Sequence, residues 1–138
     1  MAKDIFHPNV RAALTKDGWS ITADPLRIDL DETHLDIDLA AEMIFAAERE
    51  GEKIAVEVKS FLGKSIISAF HEAIGQYLDY RSALQDFEPQ RTVHLAIPIG
   101  TFEHEVFKGH FIQKRLKEES VNLLVFDPVE NKILKWIK

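Results

Sequence analysis

The sequence predicts an α/β protein with a mixed β-sheet flanked by helices. Two observations carry this prediction. Several short segments have the alternation or the continuous apolar run of β-strands, and one long segment, residues 65–84, has the 3.6-residue apolar period of a helix. Such a mixture of strands and helices is typical of a sheet packed against helices. The 138 residues contain no repeat and no linker-like segment, so we expect a single domain over residues 1–138.

The first part of the chain is predicted to form one helix and two short strands. Apolar residues from Val10 to Leu14 have helical spacing, and Asp17-Gly18 follows them as a helix C-cap would. Short segments at residues 19–22 and 26–30 then indicate strands separated by a turn.

A β-hairpin is predicted next, with strands at residues 42–49 and 53–60 and a two-residue turn at Glu50-Gly51. A helix over residues 39–50 is the alternative, because Ala, Glu and Met favour helices. The strand is preferred because the strongly β-forming residues 54–58 need a partner strand. A two-residue turn would place Lys59 opposite Glu42.

The second half is predicted to complete the sheet and its helical layer. After the helix at residues 65–84, residues 92–97 form an apolar run of strand length, which is typical of a buried central strand. Thr101 is expected to cap a helix that runs to Glu118. Residues 121–126 and 133–137 then indicate two final strands.

The composition restricts the classes of function. The absence of cysteine excludes disulfides, thiolate metal sites and cysteine nucleophiles, and it suits a cytoplasmic protein. No apolar run approaches the roughly 18 residues of a membrane-spanning helix, so no membrane is expected. Residues 1–4 lead into no apolar signal segment, so no secretion is expected. With 17 Lys and Arg against 23 Asp and Glu, the formal net charge is −6, which disfavours a plain nucleic-acid coat protein. The acids are concentrated before Val58, which fits a metal-dependent enzyme on an anionic substrate, with ordinary surface charge as the alternative.

A candidate metal site follows from the predicted hairpin. Side chains alternate along a strand, so Glu57 and Lys59 face the same way in an otherwise apolar segment. In the two-residue-turn register, Glu42 lies diagonally on that face. Two carboxylates close together repel each other unless a cation lies between them, and oxygen ligands suit Mg²⁺ or Mn²⁺. Asp38 is the competing ligand, with a solvated loop position as its alternative.

The following helix adds Gln76 and Tyr80, which are four residues apart and share a face. An acid before a strand, then Glu57-x-Lys59, then Gln76-x-x-x-Tyr80, resembles the PD-(D/E)xK nuclease superfamily. Over nearly its whole length the chain is more closely similar to the XisH family. That resemblance rests on Phe6-His7, Ala13-Leu14-x-x-Asp17-Gly18-Trp19, Asp38-Leu39-x-Ala41-Glu42, residues 54–61 and residues 75–81.

The resemblance implies a restriction-endonuclease-like fold and Mg²⁺-dependent (or Mn²⁺-dependent) hydrolysis of DNA. Its catalytic residues would be Glu42, Glu57, Lys59 and Gln76, with the metal held by Glu57 and by Glu42 or Asp38. Tyr80 would support the site, as would His7, which stands where many of these nucleases have an acid. Because its hairpin register brings it beside Glu57, Glu42 is preferred over Asp38.

The family resemblance also implies a biological process. XisH proteins are cyanobacterial controlling factors for excision of the fdxN element. This implies programmed, site-specific DNA excision during heterocyst differentiation, beside a site-specific recombinase and a small companion protein. A non-catalytic DNA-binding or assembly factor that supports the recombinase is the alternative, and a homodimer remains open.

Overall fold

The computed structural model describes residues 4–44, 51–62 and 65–138. In chain order the elements are α1 (His7–Lys16), β1 (Ser20–Ala23), β2 (Leu26–Asp29), β3 (His34–Ile37), β4 (Leu39–Ile44), β5 (Gly51–Val58), α2 (Ile66–Phe87), β6 (Arg91–Pro98), α3 (Ile99–Phe102), α4 (Glu105–Lys108), α5 (His110–Glu118), β7 (Leu123–Asp127) and β8 (Lys132–Ile137). The predicted mixed sheet with flanking helices is confirmed. No helix in the described ranges is both long and apolar enough to cross a membrane.

A six-stranded sheet forms the centre of the molecule, in the order β1-β4-β5-β6-β7-β8. Strands β5, β6 and β7 run parallel, and the other neighbours pair antiparallel. Parallel neighbours need a crossover connection, which α2 provides between β5 and β6 and the short helices α3 to α5 provide between β6 and β7. The carboxyl ends of three adjacent strands therefore meet at one edge of the sheet.

Apolar side chains cover both faces of this sheet. On one face α1 packs through Val10 and Leu14 against residues such as Leu39. On the other face α2 packs through Phe70 and Tyr77, and α4 and α5 extend the same core. The alternation along β5 divides its side chains between these two layers, because Ile54 and its i+2 neighbours face α1.

The ends of the two long helices follow from local chemistry. The Ser65 hydroxyl oxygen caps α2 by accepting a hydrogen bond from the Ser68 amide at 3.1 Å. Helix α1 ends before Gly18, whose φ of +95° is the left-handed conformation that glycine adopts without strain. The predicted C-cap at Asp17-Gly18 agrees with this geometry.

The helix predicted for residues 101–118 is broken into three pieces. Thr101 lies inside α3 instead of capping a helix, and its hydroxyl donates to the Ser60 carbonyl at 3.0 Å. His104 caps α4 through Nδ1, which accepts from the Val106 amide at 3.1 Å. The prediction was wrong because the tertiary bond of Thr101 and the cap at His104 outweigh the helical preference of the whole segment.

The predicted strand pairing of β4 and β5 is confirmed in type but not in register. Glu42 lies opposite Lys53, and Gly51, expected in the turn, pairs with Ile44 inside the ladder. The connection therefore spans more than two residues, and residues 45–50 lie outside the described part. Strand β3, which the sequence analysis missed, pairs with β2 in a separate two-stranded sheet.

Candidate functional site

Two carboxylates meet where the chain passes from β3 to β4. Asp38 occupies the bend between these strands, one residue before the Leu39–Val56 pair, and this position brings it opposite Glu57 on β5. The Asp38 amide donates to Glu57 Oε1 at 3.3 Å, and the Val58 amide donates to Asp38 Oδ2 at 2.7 Å. Backbone hydrogen bonds thus fix both carboxylates at the end of β5.

Without a counter-ion, the charged forms of Asp38 and Glu57 are disfavoured by their environment. Burial, and then the negative charge of Asp38, raises the pKa of Glu57 from its ordinary value to about 8. Burial also raises the pKa of Asp38, although the hydrogen bond from the Val58 amide and the electrostatic influence of His7 and Lys59 act in the opposite direction. A cation between the two groups would relieve both effects.

Lys59 lies on the same face as Glu57, as the strand alternation predicted. Its Nζ is 3.8 Å from Glu57 Oε2 and 3.5 Å from Glu72 Oε1 on α2. The Lys59 amide donates to the Ala96 carbonyl at 3.0 Å, which continues the β5–β6 ladder past Val58. The ammonium is thereby placed beside the carboxylate pair.

Helix α2 carries Tyr80, which feels the charges of the carboxylate pair, and Gln76, which lies one turn earlier on the same helix face. The buried Tyr80 hydroxyl has a raised pKa because of burial and then because of the negative charges of Glu57 and Asp38. It therefore stays protonated and keeps a proton that it can donate to a hydrogen bond. The Gln76 Oε1 atom is buried and has no hydrogen-bond partner within the described residues.

His7 supports the bend rather than the carboxylates themselves. Its Nε2 lies 2.9 Å from Asp24 Oδ1 and 3.4 Å from the Asp38 carbonyl oxygen. The buried ring therefore connects α1 to the bend that holds Asp38. The supporting role predicted for His7 stays a prediction.

Glu42 is not brought to the site. It is four residues along the strand from Asp38, a separation of about 13 Å. Its Oε1 lies 3.4 Å from Arg91 Nη2 and 3.7 Å from Lys53 Nζ, near the opposite end of β5. The preference for Glu42 over Asp38 depended on the two-residue turn, and the observed register removes that basis. Asp38 takes the position expected for Glu42.

Two further acids at the mouth of the site were missed by the sequence analysis. Asp4 Oδ2 accepts from the Ser60 amide at 2.8 Å, and Glu72 contacts Lys59. Glu72 could have been found, because it lies four residues before Gln76 and so shares its helix face. No local pattern in the sequence marks Asp4.

The donor set fits a hard divalent cation that retains water. Within the described ranges, no group of three or more His, Cys, Asp and Glu side chains could enclose a metal ion. Asp38 and Glu57 supply only carboxylate oxygens, which suit Mg²⁺ or Mn²⁺. Mg²⁺ is commonly held by one or two carboxylates together with water and substrate phosphate.

Comparisons with known proteins agree on one family. The family model described as "XisH protein" matches residues 1–134. The crystal structure of an XisH family protein from Nostoc punctiforme PCC 73102 is similar with a TM-score of 0.86 and 45% identity, over 98% of this chain and 100% of that chain. The crystal structure of a fdxN element excision controlling factor protein from Anabaena variabilis has a TM-score of 0.87 and 44% identity, over 99% and 100%.

No curated protein matches the chain. The family model nevertheless spans nearly all of the sequence, and both similar structures are covered along their full length. On this evidence the chain belongs to the XisH family.

Proposed function

We propose that this protein is a Mg²⁺-dependent (or Mn²⁺-dependent) DNA endonuclease of the PD-(D/E)xK type with a restriction-endonuclease-like core. The observation that carries the proposal is the contact between the half-buried Asp38 and the buried Glu57, with Lys59 directly after β5 on the same side as Glu57. An acid from the bend before β4 and the acid and lysine at the end of β5 match the acid, acid and lysine of that motif. Asp38 replaces Glu42 as the first acid.

Each residue then has a definite task. Asp38 and Glu57 would hold the cation, which when bound lowers the pKa of a water and stabilises negative charge on a phosphate. Lys59 would orient the attacking water or stabilise the developing anion. Tyr80 would donate a hydrogen bond toward the carboxylates. Gln76, also on α2, would orient neighbouring polar groups through its side-chain amide.

The biological setting is proposed from the relatives. The similar protein from Anabaena variabilis is a fdxN element excision controlling factor protein. We therefore propose that this chain acts in the cytoplasm in programmed excision of a DNA element. It would work on DNA beside a site-specific recombinase and a small companion protein, as a monomer or a homodimer.

A second candidate function is a non-catalytic assembly factor for that recombinase. The net charge of −6 favours it, because a polyanion is repelled by such a protein. The bases at the end of α5 also have acidic partners: Lys114 Nζ is 3.4 Å from Glu118 Oε2, and Arg115 contacts Glu119 at 3.1 Å. Such internal pairs leave less positive charge for DNA.

A cleavage assay separates the two candidates. Supercoiled, branched and single-stranded DNA would be incubated with the protein and Mg²⁺ or Mn²⁺. We expect cleavage by the wild type, loss of cleavage in Asp38→Asn and Glu57→Gln, and retention in Glu42→Gln. Cleavage that survives both site substitutions would come from a contaminant. Absence of cleavage on every DNA would favour the assembly factor.

A further inference from the structure

Glu72 stands at the mouth of the candidate site without belonging to the carboxylate pair. It projects from α2 one turn before Gln76, into a shallow cleft of about 110 Å³ that Asp4, Lys59 and Ser60 also line. Its side chain is 48% exposed, whereas that of Glu57 is 7% exposed. Solvent therefore stabilises the charge of Glu72, and burial opposes that of Glu57.

The Lys59 ammonium lies between these two unequal carboxylates. Its Nζ is 3.5 Å from Glu72 Oε1 and 3.8 Å from Glu57 Oε2, so neither contact is closer than an ordinary ion pair. A lysine side chain is flexible and carries a compact charge with three donors. Without a second anchor, the ammonium would move onto Glu57 and act as its permanent counter-ion, in the place that a divalent cation needs.

We propose that Glu72 is a positioning residue, whose carboxylate holds the Lys59 ammonium toward the mouth of the site and so leaves the Asp38–Glu57 pair available to a divalent cation. The link to cation binding rests on the proposed function, whereas the contact between Glu72 and Lys59 does not. In this proposal Glu72 acts through Lys59. A partly exposed ion pair contributes little to stability, and the role of this one is to fix where the ammonium lies.

The geometry of α2 makes Glu72 suited to this task. The helix is anchored at its start by the Ser65 cap, and buried aromatic residues fix its rotation against the sheet. Residues 72, 76 and 80 succeed each other at intervals of four, so they form one row along the helix. Tyr80 lies in the field of the carboxylates and Glu72 contacts Lys59, so the row spans the site from its interior to its mouth.

A double-mutant cycle on Mn²⁺ binding tests the proposal. Calorimetry would compare the wild type, Glu72→Gln, Lys59→Gln and the double variant. We expect Glu72→Gln to weaken Mn²⁺ binding about tenfold, as loss of an outer-shell partner does. In the Lys59→Gln background the same substitution should have no effect, because the ammonium that it releases is absent.

The control is Asp86→Asn, which removes one exposed charge from the same helix beside Leu30 and Leu35. It should leave Mn²⁺ affinity within about twofold of the wild type, since an exposed charge more than a Debye length away is largely screened. A tenfold loss in Asp86→Asn, or in Glu72→Gln when Lys59 is already Gln, would mean that general attraction of cations explains the result. Either outcome overturns the proposal.

A second measurement needs neither metal nor nuclease activity. In the metal-free protein with labelled lysines, the Lys59 side-chain resonance is identified by its loss in Lys59→Gln. We expect this resonance to shift in Glu72→Gln and to stay unchanged in Asp86→Asn. An unchanged resonance in Glu72→Gln would overturn the contact itself. If the wild type bound no Mn²⁺ but the resonance shifted, the proposed metal site would fail and the positioning of Lys59 would stand.

Discussion

At the residue scale, Glu57 lies in an environment that opposes its charged form. Its side chain is 7% exposed, it lies opposite another carboxylate, and its pKa is raised to about 8. Lys59 at 3.8 Å offsets only part of this cost. Proteins retain such arrangements at functional sites, because the group that destabilises the free protein is the one that a ligand compensates.

The first prediction concerns which acids bind a cation. Asp38→Asn and Glu57→Gln should each lower Mn²⁺ affinity by at least about tenfold, because each removes a charged ligand of nearly unchanged size. Glu42→Gln, a matched loss of charge on the same strand face, should bind Mn²⁺ like the wild type. Isothermal calorimetry measures all three. Equal binding by Glu57→Gln and the wild type would eliminate this site.

The second prediction concerns pH. Folding raises the pKa of Glu57 from its ordinary value of 4.5 to about 8. Between pH 4.5 and about pH 8, Glu57 therefore keeps a proton in the folded protein that it has released in the unfolded chain. The contribution of Glu57 to the free energy of unfolding is therefore most favourable below pH 4.5, and this stability is lost as the pH rises to 8. The loss of stability amounts to at most about 5 kcal/mol.

Urea unfolding in a chelator at pH 5 and pH 8.5 tests this prediction against Glu57→Gln. The free energy of unfolding of the variant should exceed that of the wild type at pH 8.5, and the difference should shrink toward pH 5. A difference that is independent of pH would show that Glu57 ionises normally in the folded protein.

The residues of the site were predictable to the extent that strand alternation decides them. Glu57 and Lys59 share a face in any register, so the sequence suffices for both. The choice between Asp38 and Glu42 depended on the length of the connection after β4, which local patterns do not encode. A shift in register moved the first acid about 13 Å along the strand.

At the element scale, strand β6 contains a buried titratable group on the α1 face of the sheet. His94 is 1% exposed and packs edge-on against Trp136, with ring centroids 5.1 Å apart. Burial lowers the pKa of His94 to about 4. A neutral imidazole is therefore part of the core between β6 and β8.

The third prediction follows from this histidine. Between its ordinary pKa of 6.5 and about 4, the unfolded chain takes up a proton that folded His94 does not. The stability that His94 contributes is present above pH 6.5 and is lost as the pH falls to 4, by at most about 3 kcal/mol. Thermal unfolding should show a smaller acid loss in His94→Leu than in the wild type. Parallel pH profiles for the two proteins would contradict this prediction.

The elements themselves differ in how far sequence determines them. Helix α2 and strand β6 were predicted nearly to their ends, because each is long or continuously apolar. The segment 99–118 was not, because its breaks depend on contacts with distant chain, such as the hydrogen bond from Thr101 to Ser60. Strand β3 was missed because its partner strand, β2, is equally short and forms a separate sheet.

At the scale of the whole molecule, the arrangement of three parallel strands determines where chemistry can occur. The carboxyl ends of β5, β6 and β7 meet at one edge, and Lys59 directly follows the first of them. Open α/β sheets bind ligands at such edges. The acids of the site are part of a net charge of −6, so binding of DNA, as proposed, would depend on local positive charge.

The last prediction therefore concerns DNA binding. DNA binding should be weak in a chelator and tighter in Ca²⁺, because the cation neutralises the Asp38–Glu57 pair. Ca²⁺ is chosen because it also prefers oxygen ligands. Each phosphate contact contributes about −0.9 to the slope of log affinity against log salt, and we expect a shallow slope of only a few contacts. Replacing Lys114, Arg115 and Lys117 with Gln should flatten this slope further, although the first two also contact Glu118.

The matched control replaces Lys132, Lys135 and Lys138 on or next to the edge strand β8 and removes the same charge. An equal slope change in both triple variants would mean that net charge alone governs binding, and an unchanged slope in the first would place the DNA path away from α5.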